Sequence, residues 1–126
     1  MRNNALNLSL SILEGFREID PEIPIQTAAM LLLVAINPGI TMKEMGERLE
    51  ISQASCSRNV AALSRKHRLE KPGYNLVRAV EDPAERRRKI VKLTPRGREV
   101  IAKLSERVGE YTKAEIRSKL KALIDR

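Results

Sequence analysis

The stretch DPAERRRKIVKLTPRG, residues 82–97, changes character three times in sixteen residues. Asp82-Pro83-Ala84-Glu85 is turn chemistry: an Asp side chain folds back on its own backbone, and Pro fixes φ. Arg86, Arg87 and Arg88 then gather three cations in one place. Lys89 to Leu93 (KIVKL) is short and β-branched, the composition of a strand. Thr94 offers a helix N-cap, and Pro95 suits the first helical position, where its missing N–H costs nothing. Turn, basic tip, strand and helix start follow one another without a gap.

Upstream, Tyr74 to Val80 (YNLVRAV) is a second β-branched-rich segment, so the pair predicts a two-stranded hairpin tipped with arginine. Such guanidinium groups suit a narrow minor groove, where the negative potential is strongest. Downstream, Ile101, Leu104, Val108 and Tyr111 recur at three- and four-residue steps, continued by Ile116, Leu120 and Leu123/Ile124. That helix approaches 30 residues, roughly 45 Å at about 1.5 Å per residue. A domain this small cannot cover it, and the exposed stripe predicts a second chain. Residues 4–19 read as a first helix, with Leu6, Leu10, Leu13 and Phe16 on one stripe and Leu8, Ile12 and Ile19 on the next. Two stripes imply two contact surfaces. A homodimer is therefore expected, built from the first and last helices through Leu6, Leu10, Leu13, Ile101, Leu104, Val108, Tyr111 and Leu120.

Between these ends lie three short helices. Asp20-Pro21 closes the first helix, Pro24 opens a second, and Asn37-Pro38-Gly39 ends it. Thr41-Met42-Lys43-Glu44 has the form of a capping box and starts a third helix, with Met42, Met45 and Leu49 inward. Ser52 is the next N-cap, for a fourth helix reaching about Lys66 with Cys56, Val60 and Leu63 as its inner stripe. Two short helices joined at an apolar corner, Ile51, describe a helix-turn-helix, whose second helix commonly enters the DNA major groove. The outer side of that helix is small and polar, with Ser52, Gln53, Ser55, Ser57 and Asn59 beside Arg58. Such side chains permit close approach to base edges and can bond bases and phosphates.

The charge distribution agrees. The chain of 126 residues carries a net +8, yet residues 58–98 hold thirteen Lys/Arg against four acids, and the remainder sums to −1. A local surplus of this kind points to a polyanionic partner. One Cys and one His exclude a zinc cluster and an internal disulfide. No cofactor is expected. Catalysis is not expected either, since His67 has no carboxylate at a useful spacing and no phosphate-cradling glycine loop occurs. Cys56 on the core stripe reads as a packed thiol rather than a redox switch. The longest apolar run, Ala28 to Ile36, is about half of a membrane span, and no secretory leader opens the chain, so a cytoplasmic protein is expected. Phe16, Tyr74 and Tyr111 are the only aromatics, which gives little support for a small-molecule effector.

With these features in hand, residues 82–97 resemble the wing pattern of the MarR (multiple antibiotic resistance regulator) family of winged-helix transcription regulators. The shared pattern is Asp-Pro-x-acidic-Arg-Arg, an apolar strand, then Leu-Thr-x-x-Gly. MKEMGERLEISQASCSRNVAAL, residues 42–63, is similar to the family's helix-turn-helix, and the likeness covers roughly Ile25 to Ile101. It implies that Ser52, Gln53, Ala54, Ser55, Ser57 and Arg58 face the major groove and flanking phosphates. It also implies that Arg87, between Arg86 and Arg88, enters the minor groove, that Glu85 orients Arg87 by a salt bridge, and that Asp82 holds the wing turn. Three departures are visible, the first being that the chain ends at Arg126, about one helix short of the usual family length. Glu50 stands where such turns often carry glycine, and HRLEKPGYN lengthens the link from recognition helix to wing.

The expected fold is mainly α with a small β-hairpin wing. It is a single winged helix-turn-helix domain over 1–126, with a DNA-binding core at 24–94 and dimerisation helices at 1–20 and 95–126. The expected function is a sequence-specific double-stranded DNA-binding regulator, a dimeric repressor. The competing reading is a winged-helix protein–protein adaptor, or a replication or partition accessory with non-specific DNA binding.

Overall fold

The computed structural model describes residues 4–65 and 72–125. Elements run α1 (Asn4–Ile19), α2 (Ile25–Ile36), β1 (Ile40–Thr41), α3 (Met42–Leu49), α4 (Gln53–Leu63), β2 (Val77–Glu81), β3 (Lys89–Leu93) and α5 (Pro95–Ile124). They fall into two compact units, Ile23–Ile101 and Met1–Glu22 with Ala102–Arg126. The first two turns of α5 thus belong with the winged unit.

Within the winged unit, α2 supplies Met30, Leu31 and Val34 to the core, α3 supplies Met45, and α4 supplies Cys56, Val60 and Leu63. Leu76, Val77 and Val91 close it from the sheet side. The sheet has three strands rather than the two of the expected hairpin, in the order β1-β3-β2. Ile40 pairs with Val91 and Thr41 with Ile90. Two residues are too few to show a strand's alternation, so Ile40-Thr41 carries no signature of its own beyond the helix cap that follows. That cap forms: Thr41 Oγ1 accepts from the Glu44 amide at 3.0 Å and donates to the Glu44 carboxylate at 3.1 Å. The Glu44 side chain thus meets the Thr41 hydroxyl, not the backbone amide of a reciprocal capping box.

Two element ends differ from expectation for one shared reason. The fourth helix stops at Leu63, short of Lys66, which lies outside the described residues. The wing strand starts at Val77 instead of Tyr74. Between them, the amides of Gly73, Tyr74, Asn75 and Leu76 donate to the carbonyls of Arg65, Ala62, Ser64 and Leu63 at 2.8–3.2 Å. A helix end leaves carbonyls without partners, and this segment supplies the donors that a longer helix or β2 would otherwise have used. Asn75 adopts a left-handed φ of 56° on the way. On the far side of the same segment, Thr94 Oγ1 donates to the Asn75 carbonyl (2.7 Å) and accepts from the Gly97 amide (3.0 Å), so the cap of α5 is tied to it too.

In the other unit, α1 and α5 are joined by Arg107, which donates to the Ser11 carbonyl at 3.2 Å and pairs with Glu18. Leu104 is 6% exposed, and its Cδ2 would stand 2.6 Å from a Cβ added at Gly15. Leu104, expected at a dimer interface, therefore lies against its own chain's α1, because a glycine there leaves the space for it. Tyr111 is half-buried, and Ile101 of the winged unit is half-buried as well. Leu6, Leu10, Leu13, Val108 and Leu120 remain exposed, with Ile116, Leu123 and Ile124.

A Cβ at Gly97 would sit 2.0 Å from the Leu76 carbonyl oxygen, a backbone atom that cannot yield. Gly97→Ala should destabilise the fold by about 1–3 kcal/mol in chemical denaturation. Gly109→Ala, on the same helix with open space around it, should instead stabilise by up to about 1 kcal/mol.

Candidate nucleic-acid interface

Helix α4 is set by its start. Gly46 and Glu50 bring the chain round, with the Ile51 amide donating to the Gly46 carbonyl at 3.0 Å and Glu50 in the left-handed region at φ 54°. This is the conformation that a glycine would adopt without strain, so the departure at Glu50 changes the residue and not the turn. Ser52 then caps α4, its Oγ accepting from the Ser55 amide at 3.1 Å. Ser52, Gln53, Ala54, Ser57 and Arg58 are all exposed.

Ser55 and Asn59 are placed otherwise. Ser55 is half-buried and its hydroxyl accepts from Gln26 Nε2 at 2.8 Å. Asn59 Oδ1 accepts from Thr27 Oγ1 at 2.6 Å, while its Nδ2 donates to the Ser55 carbonyl at 2.8 Å. Both residues therefore hold α4 to α2, which removes Ser55's hydroxyl oxygen from the expected reading set. Nothing in the sequence marks Gln26 and Thr27 for this role, since the pairing spans about 30 residues and belongs to no motif. Cys56 is buried, donates its thiol to the Met42 carbonyl at 3.4 Å, and burial raises its pKa. A thiolate is disfavoured there.

The wing tip uses one of its three arginines to build itself. The Ala84 amide donates to Asp82 Oδ1 at 2.9 Å, and Arg88 binds Asp82 Oδ2 through Nε at 2.9 Å and Nη2 at 2.7 Å. Glu85 stands 3.8 Å from Arg88 Nη1. The expected pairing of Glu85 with Arg87 is thus replaced by Glu85 with Arg88. The cause is the turn bond from the Arg88 amide to the Glu85 carbonyl (3.0 Å), which swings position 88 back over the acids. Arg86 and Arg87 are exposed and form no ion pair among the described residues. Along the strands, Arg78 lies directly opposite Lys92, both exposed. Like charges so placed are destabilising unless an anion intervenes. His67 and its neighbours Lys66 and Arg68 lie outside the described residues.

Together these features define a winged helix-turn-helix protein. Residues 22–72 match the model of the MarR family. Its fold is similar to that of RV1404 from Mycobacterium tuberculosis, at TM-score 0.67 and 20% identity over 94% of this chain and 72% of that one. It is also similar to the S. aureus MepR–DNA complex, at TM-score 0.69 and 16% identity over 96% and 92%. A third is CouR, a transcriptional repressor bound to a 23-mer DNA duplex, at TM-score 0.60 and 24% identity over 96% and 82%. No curated protein matches the chain by sequence. Among the described residues, no helix is long and apolar enough to cross a membrane.

Asp82 has its pKa lowered, first by the Ala84 amide and next by Arg88. A carboxylate with a depressed pKa stabilises above its ordinary value, near about 3.9, and loses that contribution as pH falls through the lower folded value. Amide exchange at Ala84 and Arg88 should therefore be flat from pH 5 to 8 after correction for intrinsic rates. Asp82→Ala should raise it at both amides across the range and leave β3 protected.

Proposed function

We propose that this protein is a sequence-specific double-stranded DNA-binding transcription regulator, a cytoplasmic dimeric repressor. The observation that carries this reading is one folded unit with an exposed small-polar helix start (Ser52, Gln53, Ala54, Ser57, Arg58) and a wing with two exposed arginines, Arg86 and Arg87, that form no ion pair among the described residues. In this reading α4 enters the major groove, with Arg58 on a guanine or a flanking phosphate and Ser52, Gln53 and Ser57 within reach of base edges and phosphates. The wing lays Arg86 and Arg87 along the minor groove, where a guanidinium lowers its energy most when the groove is narrow. Arg88, already paired with Asp82, shapes the tip instead of reading DNA. The neighbours MepR and CouR, each solved with DNA, support a duplex as the partner, and CouR's description as a repressor supports the sign of regulation.

The exposed leucines of α1 and the stripe Val108, Ile116, Leu120 and Leu123 of α5 support self-association. Apolar surface in such a row is costly in water and is ordinarily covered by a partner. Two copies related by a two-fold axis would set their reading helices about 34 Å apart on a pseudo-palindrome. Leu104 takes no part in that surface.

Selection from random duplexes tests the reading: a preferred site with inverted-repeat symmetry is expected, and recovery of unenriched sequence contradicts it. On the selected duplex, Arg58→Ala should cost about 1–3 kcal/mol and relax preference at one position. Arg87→Ala should weaken selected and random duplexes by similar factors and lower the slope of log affinity against log salt by about 1. Equal losses on both duplexes for Arg58→Ala would remove it from base reading.

A further inference from the structure

The inner stripe of α4, made of Cys56, Val60 and Leu63, seats the helix by shape, with one bond from the Cys56 thiol to the Met42 carbonyl, and the amides of residues 73–76 hold its far end. Apolar contacts themselves have no preferred direction, so the aim of the first turns of α4 depends on the polar bonds beside them. Ser55 and Asn59 stand at i and i+4 on one shoulder of that stripe, with successive residues about 100° apart around the axis. Gln26 and Thr27, adjacent in the first turn of α2, meet these two positions through the bonds Gln26 Nε2 to Ser55 Oγ and Thr27 Oγ1 to Asn59 Oδ1. Asn59 Nδ2 closes the set on the Ser55 carbonyl. Thr27 is 2% exposed, so its bond to Asn59 is shielded from competing water. Hydrogen bonds are directional, and two of them on one shoulder of the stripe oppose rolling more strongly than its apolar contacts do.

We infer that Thr27, seconded by Gln26, is a positioning residue that fixes the rotation of α4 and through it the aim of Arg58 and Gln53. Useful contacts to base edges require the supporting shell to hold the helix within about 10–20°. Phosphate contacts from long flexible cations are more tolerant. Loss of the Thr27 bond should therefore degrade choice of sequence before it degrades binding to DNA in general. The inference rests on the DNA-binding reading above.

The test compares Thr27→Val, which keeps the shape and removes the hydroxyl, with Thr27→Ser, which keeps the hydroxyl. Affinities are measured for the selected duplex and for a random duplex, and hydrogen exchange is followed in the DNA-free proteins. Thr27→Val should reduce the selected-to-random ratio on the order of tenfold with random-duplex affinity unchanged, and Thr27→Ser should retain the ratio. Exchange should quicken in Thr27→Val at the amides of residues 56–60 and stay unchanged in α3 and β3. An unchanged ratio in Thr27→Val overturns the inference. So does a parallel loss on both duplexes with exchange quickened throughout the winged unit, which is the mark of a merely destabilised fold. If the unaltered protein prefers no sequence, the function proposed above falls, and the exchange profile decides the positioning role: local quickening supports it, and no change or a global change overturns it.

Discussion

The winged unit depends on the way residues 73–76 satisfy the end of α4. Four consecutive amides meet four carbonyls at the close of α4. The same segment's Asn75 and Leu76 carbonyls then accept from Thr94, which caps α5 and leads out of β3. One extended segment thus terminates α4, leads into the first wing strand and anchors the last. Two glycines make this possible by their absence of side chain: a Cβ at Gly73 would stand 1.9 Å from the Ser64 carbonyl oxygen, and one at Gly97 would stand 2.0 Å from that of Leu76. Helix and wing are in consequence parts of one body rather than two elements joined by a tether, whatever the course of the longer connection between them.

Charge in the wing is divided between construction and presentation. A cluster of three adjacent arginines would repel itself and splay, but Asp82 takes Arg88, with Glu85 close by. What remains at the surface is a pair of cations on a braced turn. The cross-strand placement of Arg78 and Lys92 adds two more positive charges at a cost in folding that a bound polyanion would offset. The surplus seen in the sequence over residues 58–98 is therefore partly an internal fixture of the wing and partly an outward-facing field.

Much of this was legible in the amino-acid order, and the exceptions have physical causes. Helix periodicity, the caps at Thr41, Ser52 and Thr94, and the Asp-Pro turn are local signals, and each appears where its residues placed it. Strand β1 was invisible because two residues carry no period. The resemblance implies Glu85 beside Arg87, whereas the bond from the Arg88 amide to the Glu85 carbonyl folds position 88 back over the acids, a tertiary detail that a shared motif does not carry. Leu104 was grouped with the outward leucines because its neighbour across the helix pair is a glycine, which leaves no hydrophobic signature of its own. Ser55 and Asn59 looked like outer polar residues, and only the packing of α2 reveals that they face inward. Side chains that bond across 30 residues of chain have no local pattern to read.

We propose that one duplex is held in both grooves by this single body, with α4 in the major groove and the wing beside it in the minor. Attaching an iron chelate to a cysteine at the wing tip tests this directly, and Ala84→Cys serves because position 84 is exposed and the native Cys56 is buried. Radical cleavage on the selected duplex should fall in two clusters with the offset of minor-groove attack, flanking the half-sites that α4 protects from major-groove methylation. Cleavage within the protected half-sites, or none above that of free chelate, would contradict it.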